Sequence, residues 1–523
     1  MDGSTLGKVP QSPTLPGSGG AKRKFDVADL YGEGTAETGS ADLGLDEKFR
    51  KAYFWITNCA IITPFYDIEY EDGRSISFKL GDSGADLRLP SDISFSSFVL
   101  LPLLTLLARR KCLFVGGPGR GKTASSILMG VIAGYPLKEL KRAIQHGQPQ
   151  MTISDLLGSP VPQDLLKSET MRDIRISWKS WLSMRVKIVD EYNRIPTRTQ
   201  SALLTVMADN YAEMMDQVYE CPESAWFLTA NDDAGGGTYE VIEALRDRID
   251  VVVHSLHFNT RFIGELLSRV ESGIKPEAAV PPEIVFTEAE LDRAYAAMLE
   301  VVIPPPLLRR LEYFAAQFEF FEAGGRQFEY RTKDNVKLAG LELSRLEGAD
   351  GGKDRTRDLG LQTKNGVSVR AIMTSIVYIK AIAWFRGKAE AGLDDMRNVL
   401  PFVFHDKLVQ NQDAPWFEQG SNAVYRVDRI SWLRELFDLS CAEYDRLGRD
   451  GGDPVAELLS TFATGLEGVS AEACNAELVK IERELATMSE GRKLHGPMYD
   501  EALTLKYLHQ RYTSYHKWLS WRS

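Results

Sequence analysis

A glycine-rich stretch after a short apolar run constrains the fold of this chain more than any other feature. Residues 112–130 read CLFVGGPGRGKTASSILMG, and residues 116–123, GGPGRGKT, match the pattern GxxxxGK[ST] in full. The apolar run predicts a strand and the periodic segment that follows predicts a helix, which is the context this pattern requires. An ordinary glycine turn is the alternative, and the two matching flanks argue against it.

The chemistry of this stretch points to bound phosphate. Glycines let successive backbone N–H groups turn toward phosphate oxygens, and the N-terminus of the following helix adds partial positive charge. Lys122 would offer an ammonium group to the phosphates, and the hydroxyl of Thr123 is a hard ligand suited to Mg²⁺. The predicted nucleotide-binding residues are Gly116, Gly117, Pro118, Gly119, Arg120, Gly121, Lys122, Thr123 and Ala124.

Two adjacent carboxylates end a second apolar run. Residues 186–189 predict a buried strand, although Lys187 interrupts it, and Asp190 and Glu191 follow at once. An open parallel sheet binds ligands beyond the carboxyl ends of its strands. We therefore predict that Asp190 holds the metal and that Glu191 activates the attacking water. A DE pair alone is more often a solvated strand end, but the upstream glycine-rich stretch favours the functional interpretation.

A third apolar run, residues 225–230, ends at Asn231. A neutral amide at a strand end can orient a water molecule without adding charge, although Asn231 could also be a simple turn former in the sequence NDD. Together with runs at 112–115, 186–189 and 249–253, this run alternates with helical segments. That alternation predicts a parallel α/β sheet between about residues 100 and 257.

In order and spacing, these segments resemble the MoxR family of AAA+ ATPases, in the helix-2-insert clade. The resemblance rests on MTISDLLGSPVP (151–162), VDEYNRIPTRTQSALLTVMAD (189–209), TANDDAGGGTYEVIEALRDRID (229–250) and NGVSVRAIMTSIVYIKAIAWFRGKAEAGLDDMRNVLPFVFHDKL (365–408). It covers roughly residues 95–260 and 366–408. It implies an AAA+ P-loop NTPase domain with a parallel sheet, followed by an α-helical lid and a C-terminal helical extension.

The resemblance also implies roles for individual polar residues. Asn231 would be the sensor-1 residue and Arg370 the sensor-2 residue on the lid. Arg248 would be the arginine finger, the residue that completes the site of a neighbouring subunit, with Arg246 as a nearby competitor. A guanidinium stays charged and can bind two phosphate oxygens at once, which suits both arginine roles.

An arginine finger requires a homo-oligomer, most simply a hexameric ring. The alternative for Arg248 is a surface salt bridge with Asp247 or Asp250. With ATP and Mg²⁺ as cofactors, the resemblance implies an ATPase that remodels a partner protein, often one with a von Willebrand factor A domain. Two rivals are a nucleic-acid-stimulated motor and a scaffold that binds ATP as an assembly switch with low turnover.

Composition narrows the class of protein. The chain has 523 residues, a formal net charge of −11 and five cysteines without CxxC spacing. The acidic balance makes a large basic face for nucleic acid unfavourable, and the cysteine pattern is typical of reduced thiols in a cytoplasmic protein. The longest apolar run, Phe98–Ala108, is too short for a membrane span and predicts a buried helix.

Composition shifts along the chain suggest four parts. We predict a disordered tail at 1–45, the nucleotide-binding domain at 46–260, a helical lid at 261–410 with a loop insertion near 322–366, and a C-terminal helical module at 411–523. Near the start of the second part, YDIEYEDGRSISFKL (66–80) favours a hairpin that turns at EDG.

The last helical segment, residues 499–523, is rich in aromatic residues. Its aromatic residues are Tyr499, Tyr507, Tyr512, Tyr515, Trp518 and Trp521, and the basic residues among them are Lys506, Arg511, Lys517 and Arg522. An aromatic core that closes the C-terminal helices is favoured over a partner-binding face, with part of the surface left for a partner. Single-stranded nucleic acid could bind such a mixture, but a solvated helix face fits an acidic protein better.

Overall fold

Five parallel strands form the sheet on which the candidate site is built. The computed structural model describes residues 44–70, 73, 76–82, 85–91, 93–165, 173–231, 241–255, 257–273, 275–346, 358–490 and 494–522. The strands are β1 (Ile68–Glu69), β2 (Ser77–Leu80), β3 (Ala85–Arg88), β4 (Ser94–Phe95), β5 (Lys111–Val115), β6 (Gln145–His146), β7 (Gly158–Pro160), β8 (Ile176–Trp178), β9 (Val186–Asp190), β10 (Tyr211–Met214), β11 (Gln217–Glu220), β12 (Ala225–Ala230) and β13 (Val251–His254).

The main sheet has the strand order β13-β5-β12-β9-β6, and every pair in it is parallel. Four of these strands, β5, β9, β12 and β13, are those that the apolar runs predict. The fifth, β6, has only two residues and is not predicted. Because parallel strands all end at the same edge, the loops after β5, β9 and β12 meet there. The predicted α/β fold class is therefore confirmed.

Nineteen α-helices occur among the described residues. They are α1 (Leu45–Trp55), α2 (Ser97–Ala108), α3 (Lys122–Ile132), α4 (Leu137–Ala143), α5 (Ile153–Leu157), α6 (Pro162–Leu165), α7 (Thr197–Asp209), α8 (Glu243–Asp247), α9 (Ile263–Ser272), α10 (Glu288–Leu299), α11 (Pro305–Glu319), α12 (Lys333–Leu338), α13 (Leu343–Leu346), α14 (Val369–Phe385), α15 (Leu393–Phe404), α16 (Arg429–Arg446), α17 (Pro454–Ala463), α18 (Ala471–Ser489) and α19 (Gly496–Arg522).

Helix α2 is the buried helix predicted from the longest apolar run. Every residue in it except Phe98 is buried, and it packs against β5, β12, β13 and the lid helix α14. The Thr105 and Tyr378 hydroxyls join α2 to α14 with a hydrogen bond of 2.7 Å. Among the described residues, no helix is both long and apolar enough to cross a membrane.

Lys187 can lie within the buried strand β9 because its side chain finds hydrogen-bond acceptors inside the protein. Only 1% of Lys187 is exposed, and its Nζ donates to the Met184 carbonyl at 2.6 Å and to the Ser224 hydroxyl at 2.5 Å. Burial lowers the pKa of Lys187 to about 8. The strand keeps its place because two acceptors compensate the buried amine.

The predicted hairpin at 66–80 is wrong. Strand β1 pairs with β4, and β2 pairs with β3, both antiparallel. Alternation of apolar residues indicated strands correctly, but it could not decide which strands pair. Strand β2 is therefore part of a hairpin with the strand that follows it, and not with the strand that precedes it.

The segment predicted to be the lid, residues 261–410, contains the longer helices α10, α11, α14 and α15, and the predicted insertion near 322–366 packs against α11 where it is described. Helices α12 and α13 lie in the insertion, and Lys333 of α12 is 3% exposed. Its Nζ donates to the carbonyl of Gly360 and, at 3.0 and 2.8 Å, to the carbonyl and hydroxyl of Thr363. The lysine thus fastens α12 to the chain that leads into α14.

Helices α17, α18 and α19 enclose a small second core, and α17 was not predicted. This core contains Val455, Leu458, Cys474, Ile481, Leu505, Leu508 and Tyr512. Of the aromatic residues on α19, Tyr499 and Tyr512 are buried, whereas Trp521 is 75% exposed. The favoured aromatic-core interpretation holds for Tyr512, whereas Tyr507 is 50% exposed and Tyr499 packs against Phe320 and Phe328 instead. None of the five cysteines forms a disulfide.

The tail predicted at 1–45 lies almost wholly outside the described residues, which begin at residue 44. The four-part division of the chain therefore remains a prediction.

Candidate active site

The glycine-rich loop joins the end of β5 to the start of α3. Gly116 follows β5 with φ 145°, and a Cβ atom there would lie 2.0 Å from the Ser255 hydroxyl, so only glycine fits. Gly119 and Gly121 also have positive φ, at 73° and 78°. A loop with this curvature can direct its N–H groups inward, toward the N-terminus of α3.

Asp190 contacts Thr123, the residue directly after the loop lysine Lys122. The Thr123 hydroxyl donates to Asp190 Oδ1 at 2.7 Å, so the end of β9 and the start of α3 are in direct contact. A hydroxyl and a carboxylate oxygen side by side are hard ligands of the kind Mg²⁺ accepts, with phosphate oxygens and water filling the rest of its shell. The two predicted metal ligands therefore fit this ion.

Asn231 lies between the loop lysine and the second carboxylate. Its Oδ1 accepts from Lys122 Nζ at 2.9 Å, and its Nδ2 donates to Glu191 Oε1 at 2.9 Å. Lys122 also donates to the carbonyls of Gly116 and Gly117, at 2.5 and 2.8 Å. The ammonium group is thus held inside its own loop, on the side where phosphates would lie.

Glu191 is held in an uncommon backbone conformation. It has φ 53°, in the left-handed region, and its N–H donates to the Thr229 hydroxyl at 2.9 Å. Arg194 lies 3.2 Å from Glu191 Oε2. For a residue other than glycine this backbone costs about 1–2 kcal/mol, so the surrounding contacts must compensate. The strained turn sets the direction of the carboxylate.

Thr229 is a site residue that the sequence patterns did not single out. Its hydroxyl donates to Asp190 Oδ1 at 2.6 Å while it accepts from the Glu191 N–H, so one side chain orients both acids. The available signal was a single hydroxyl in the fully buried strand β12, two residues before Asn231 and thus on the same face of the strand.

The chain after β6 also supports Asp190. The Gly147 N–H donates to the Asp190 carbonyl at 2.7 Å, and a Cβ atom at Gly147 would lie 2.2 Å from the Glu191 carbonyl oxygen. His146 Nδ1 lies 3.3 Å from Asp190 Oδ2. Sequence alone gave no sign of these residues, because β6 is too short to produce a periodic pattern.

The converging residues line a cavity of about 270 Å³. Its lining residues are Pro118, Gly119, Arg120, Gly121, Lys122, Thr123, Ala124, Asp190, Glu191, Thr229 and Asn231. The cavity combines a buried ammonium group, two carboxylates, two hydroxyls and an amide beside the N-terminus of an eleven-residue helix. That donor set fits a polyphosphate with a divalent cation.

A second, mostly apolar cavity of about 490 Å³ borders the other side of the loop. It shares Gly119, Arg120, Gly121 and Ala124 with the first cavity, and its walls include Ile61, Phe65, Phe98, Leu128, Phe258 and Leu266. An apolar cavity next to a phosphate site can accommodate a planar ring. The residues before α2 that form this wall were not predicted as site residues.

The three predicted arginines lie apart from the phosphate cavity. Among its lining residues the only arginine is Arg120. Arg248, directly after α8, donates through Nη1 to the Ala244 carbonyl at 3.0 Å, and its buried Nε has no hydrogen-bond partner among the described residues. Arg246 is exposed on α8, and Arg370 near the start of α14 pairs with Asp247 at 2.5 Å.

The salt bridge considered for Arg248 does not form within the described part of the chain. Asp247 pairs with Arg370 instead, and Asp250 accepts from the Thr374 hydroxyl at 2.6 Å and from the Lys111 N–H at 2.9 Å. The finger role of Arg248 remains a prediction, since it concerns a neighbouring subunit. Residues 232–240, between Asn231 and α8, lie outside the described residues.

Comparison with known proteins gives one family match. Residues 111–251 match the family described as ATPase family associated with various cellular activities (AAA). A crystal structure of a protein from Cytophaga hutchinsonii ATCC 33406 that was proposed to be an ATPase is similar over 74% of this chain and 94% of its own, with TM-score 0.49 and 16% identity. That likeness is too low to carry a functional argument. No curated protein sequence gives a significant match.

The matched segment begins at β5 and ends at the start of β13, and so contains the glycine-rich loop, both acids and Asn231. This likeness supports an ATP-driven activity. With the five-stranded parallel sheet and the helical regions that follow it, the chain therefore contains a P-loop domain of the AAA+ fold class.

Proposed function

We propose that this protein is a Mg²⁺-dependent ATPase of the MoxR type that acts as a homo-oligomer, most simply a hexameric ring. The observation that carries the proposal is the 2.7 Å hydrogen bond between Thr123 and Asp190. It joins the two halves of a triphosphate site that are 67 residues apart in the chain. The likeness of residues 111–251 to AAA ATPases supports the same reaction.

Each residue has a distinct task in this proposal. Thr123 and Asp190 would hold Mg²⁺, which supplies charge neutralisation for the phosphates when bound. Lys122 exchanges its loop carbonyl partners for phosphate oxygens. Glu191 accepts a proton from the attacking water, and Asn231 orients Glu191 and Lys122 toward the same point.

Two arginines complete the proposed site. Arg248 of a neighbouring subunit would stabilise the charge that develops on the transferred phosphoryl group, and Arg370 would bring the lid to the phosphates. The apolar cavity beside the loop would take the base. The absence of Arg248 from the phosphate cavity of its own chain agrees with an action on a neighbour.

The use of the hydrolysis energy is inferred from the family resemblance. We propose that the oligomer remodels or matures a partner protein or complex, with a von Willebrand factor A domain protein as the first candidate. Stimulation of ATP hydrolysis by such a partner would support this use. Stimulation by DNA or RNA that is lost at high salt would instead indicate a nucleic-acid motor.

Replacement of the proposed base tests the reaction. Glu191→Gln should keep ATP binding and lose at least about 10²-fold in turnover, because the water loses its proton acceptor. Glu139→Gln, an exposed acid on α4, is the matched control and should leave turnover unchanged. Steady-state phosphate release and equilibrium nucleotide binding measure the two effects. Normal turnover in Glu191→Gln would exclude Glu191 as the base.

A further inference from the structure

The short helix that precedes Arg248 is attached to the protein's own lid through Asp247. Asp247 Oδ1 accepts from the Ser368 hydroxyl at 2.9 Å, and Oδ2 accepts from Arg370 Nη1 at 2.5 Å. The Asp247 carbonyl also accepts from Lys407 Nζ at 3.3 Å. One residue of α8 thus contacts both the start of α14 and the chain after α15.

Two more contacts reinforce this attachment. The Asp250 carboxylate, 2% exposed, accepts from the Thr374 hydroxyl of α14 at 2.6 Å. At the other end of α8, Glu243 pairs with Lys337 of the insertion at 2.6 Å. The Glu243 pair is exposed and adds little, whereas the Asp250 bond is buried. The chain around Arg248 is therefore bonded to the lid, and through Asp250 and Lys111 also to the sheet.

Helix α8 cannot fix the direction of Arg248 by itself. It has five residues, fewer than an isolated helix needs to persist, so contacts from outside determine its position. Asp247 is adjacent to Arg248 in the chain and binds Arg370 through space. Asp247 thus links Arg370 of the lid to the turn that carries Arg248, while the Arg248 side chain itself donates to the Ala244 carbonyl.

We propose that Asp247 is a positioning residue that fixes the arginine-bearing turn to the lid of its own subunit. Lid movement on nucleotide binding then changes how Arg248 is presented to the neighbouring subunit. The proposal rests on the proposed function, since it requires Arg248 to act in a neighbour's site. It gives Asp247, Ser368 and Arg370 a joint task in communication between adjacent sites.

Mixed oligomers provide a test in which a change of Asp247 can affect ATP hydrolysis only through Arg248 of the same subunit. A donor subunit carries Glu191→Gln, which inactivates its own site and keeps its Arg248. An acceptor subunit carries Arg248→Ala, which keeps its own site and removes its finger. Each should be inactive alone, and a mixture should hydrolyse ATP because donors complete acceptor sites.

The proposed coupling is then tested by adding Asp247→Asn to the donor alone. ATP hydrolysis by the mixture should fall at least about tenfold, because a displaced catalytic group loses one to two orders of magnitude in rate. Arg370→Gln in the donor removes the same contact from the lid side and should cause a similar fall. The double change should cause no further fall, because both replacements break one interaction.

Donor Asp247→Glu retains the charge and should keep most of the activity. Donor Glu443→Gln breaks a similar exposed ion pair, with Arg446 on α16, and should have no effect. Light scattering verifies that every donor assembles with the acceptor, and Arg370→Gln serves as the test variant if Asp247→Asn does not assemble.

Full activity of mixtures with Asp247→Asn or Arg370→Gln donors would overturn the coupling and leave the finger assignment intact. An inactive mixture of the two parent subunits, with an active wild-type protein, would overturn both. A wild-type protein without ATP hydrolysis would remove the proposed function itself.

Discussion

The phosphate cavity and the turn that carries Arg248 differ in whether one chain brings all of their functional side chains together. In the cavity, the start of α3 and the carboxyl ends of β9 and β12 bring together five side chains that hydrogen-bond among themselves: Lys122, Thr123, Asp190, Glu191 and Asn231. The arginines at 248 and 370 lie outside the cavity and are linked to each other's elements through one carboxylate. A single chain therefore brings together the proposed phosphate site, whereas the proposed function draws its last catalytic charge from a neighbouring subunit.

Removal of the proposed finger should have the largest effect. Arg248→Ala should lower turnover by about 10³-fold, because an arginine finger contributes most of its energy in the transition state. Nucleotide affinity should change little, since Arg248 is outside the cavity of its own chain. Steady-state turnover and equilibrium binding separate the two quantities. Arg246→Ala is the companion variant, and a large loss there with normal Arg248→Ala would assign the finger to Arg246.

Removal of the loop ammonium should act on binding. Lys122→Ala should weaken ATP binding at least about 10²-fold, since two charge-assisted hydrogen bonds are worth about 3–5 kcal/mol together. Lys141→Ala, an exposed lysine on α4, should bind ATP normally. Calorimetric titration with ATP measures both. Unchanged affinity in Lys122→Ala would mean that the cavity is not the phosphate site.

Loss of the Thr229 hydroxyl should have an intermediate effect. Thr229→Val keeps the shape but removes the hydrogen bonds to Asp190 and to the Glu191 N–H, so turnover should fall by about tenfold. The Mg²⁺ concentration for half-maximal rate should rise, because Asp190 is less well oriented. Thr105→Val loses a buried hydroxyl away from the site and should alter stability alone. An unaltered Mg²⁺ dependence in Thr229→Val would limit Thr229 to a structural role.

The smallest effect concerns the sheet rather than the site. Because the pKa of Lys187 falls to about 8 on folding, the folded protein favours the neutral amine. The free energy of unfolding should therefore rise with pH between about 8 and the usual lysine pKa of 10.5, by about 1.4 kcal/mol per pH unit, and this group should add no pH dependence below about 8. Urea unfolding at pH 7.5 and 9.5 should show this rise in wild type and not in Lys187→Met. ATP turnover at pH 7.5 should be the same in both.

The sequence predicts the sheet correctly where an apolar run marks each strand. Strands β5, β9 and β12 have apolar runs, β9 and β12 lead into polar residues and β5 leads into the glycine-rich loop, so the parallel sheet and its site edge could be predicted. Strand β6 has only two residues and gives no periodic pattern, whereas the start signal of α17, Asp453 as N-cap followed by Pro454, was overlooked. Pairing of β2 with β3 depended on contacts that alternation does not encode.

Within the site, the residues missed are those whose role depends on neighbours in space. Thr229 acts through Asp190 and Glu191, and Gly147 through the backbone of the same two acids. The pairing of Arg370 with Asp247 joins positions 123 residues apart, which no local pattern can reveal. A motif identifies the atoms that touch phosphate, but the atoms that orient them require the fold.

The central claim is that one chain binds ATP and that an oligomer is needed to hydrolyse it. The most direct test measures ATP hydrolysis per chain as a function of protein concentration. Molar mass by light scattering and nucleotide binding are recorded in the same samples. The account predicts that dilution to monomers preserves ATP binding and abolishes most turnover, with activity returning as oligomers form. Monomers that hydrolyse ATP at the full rate per chain would contradict it.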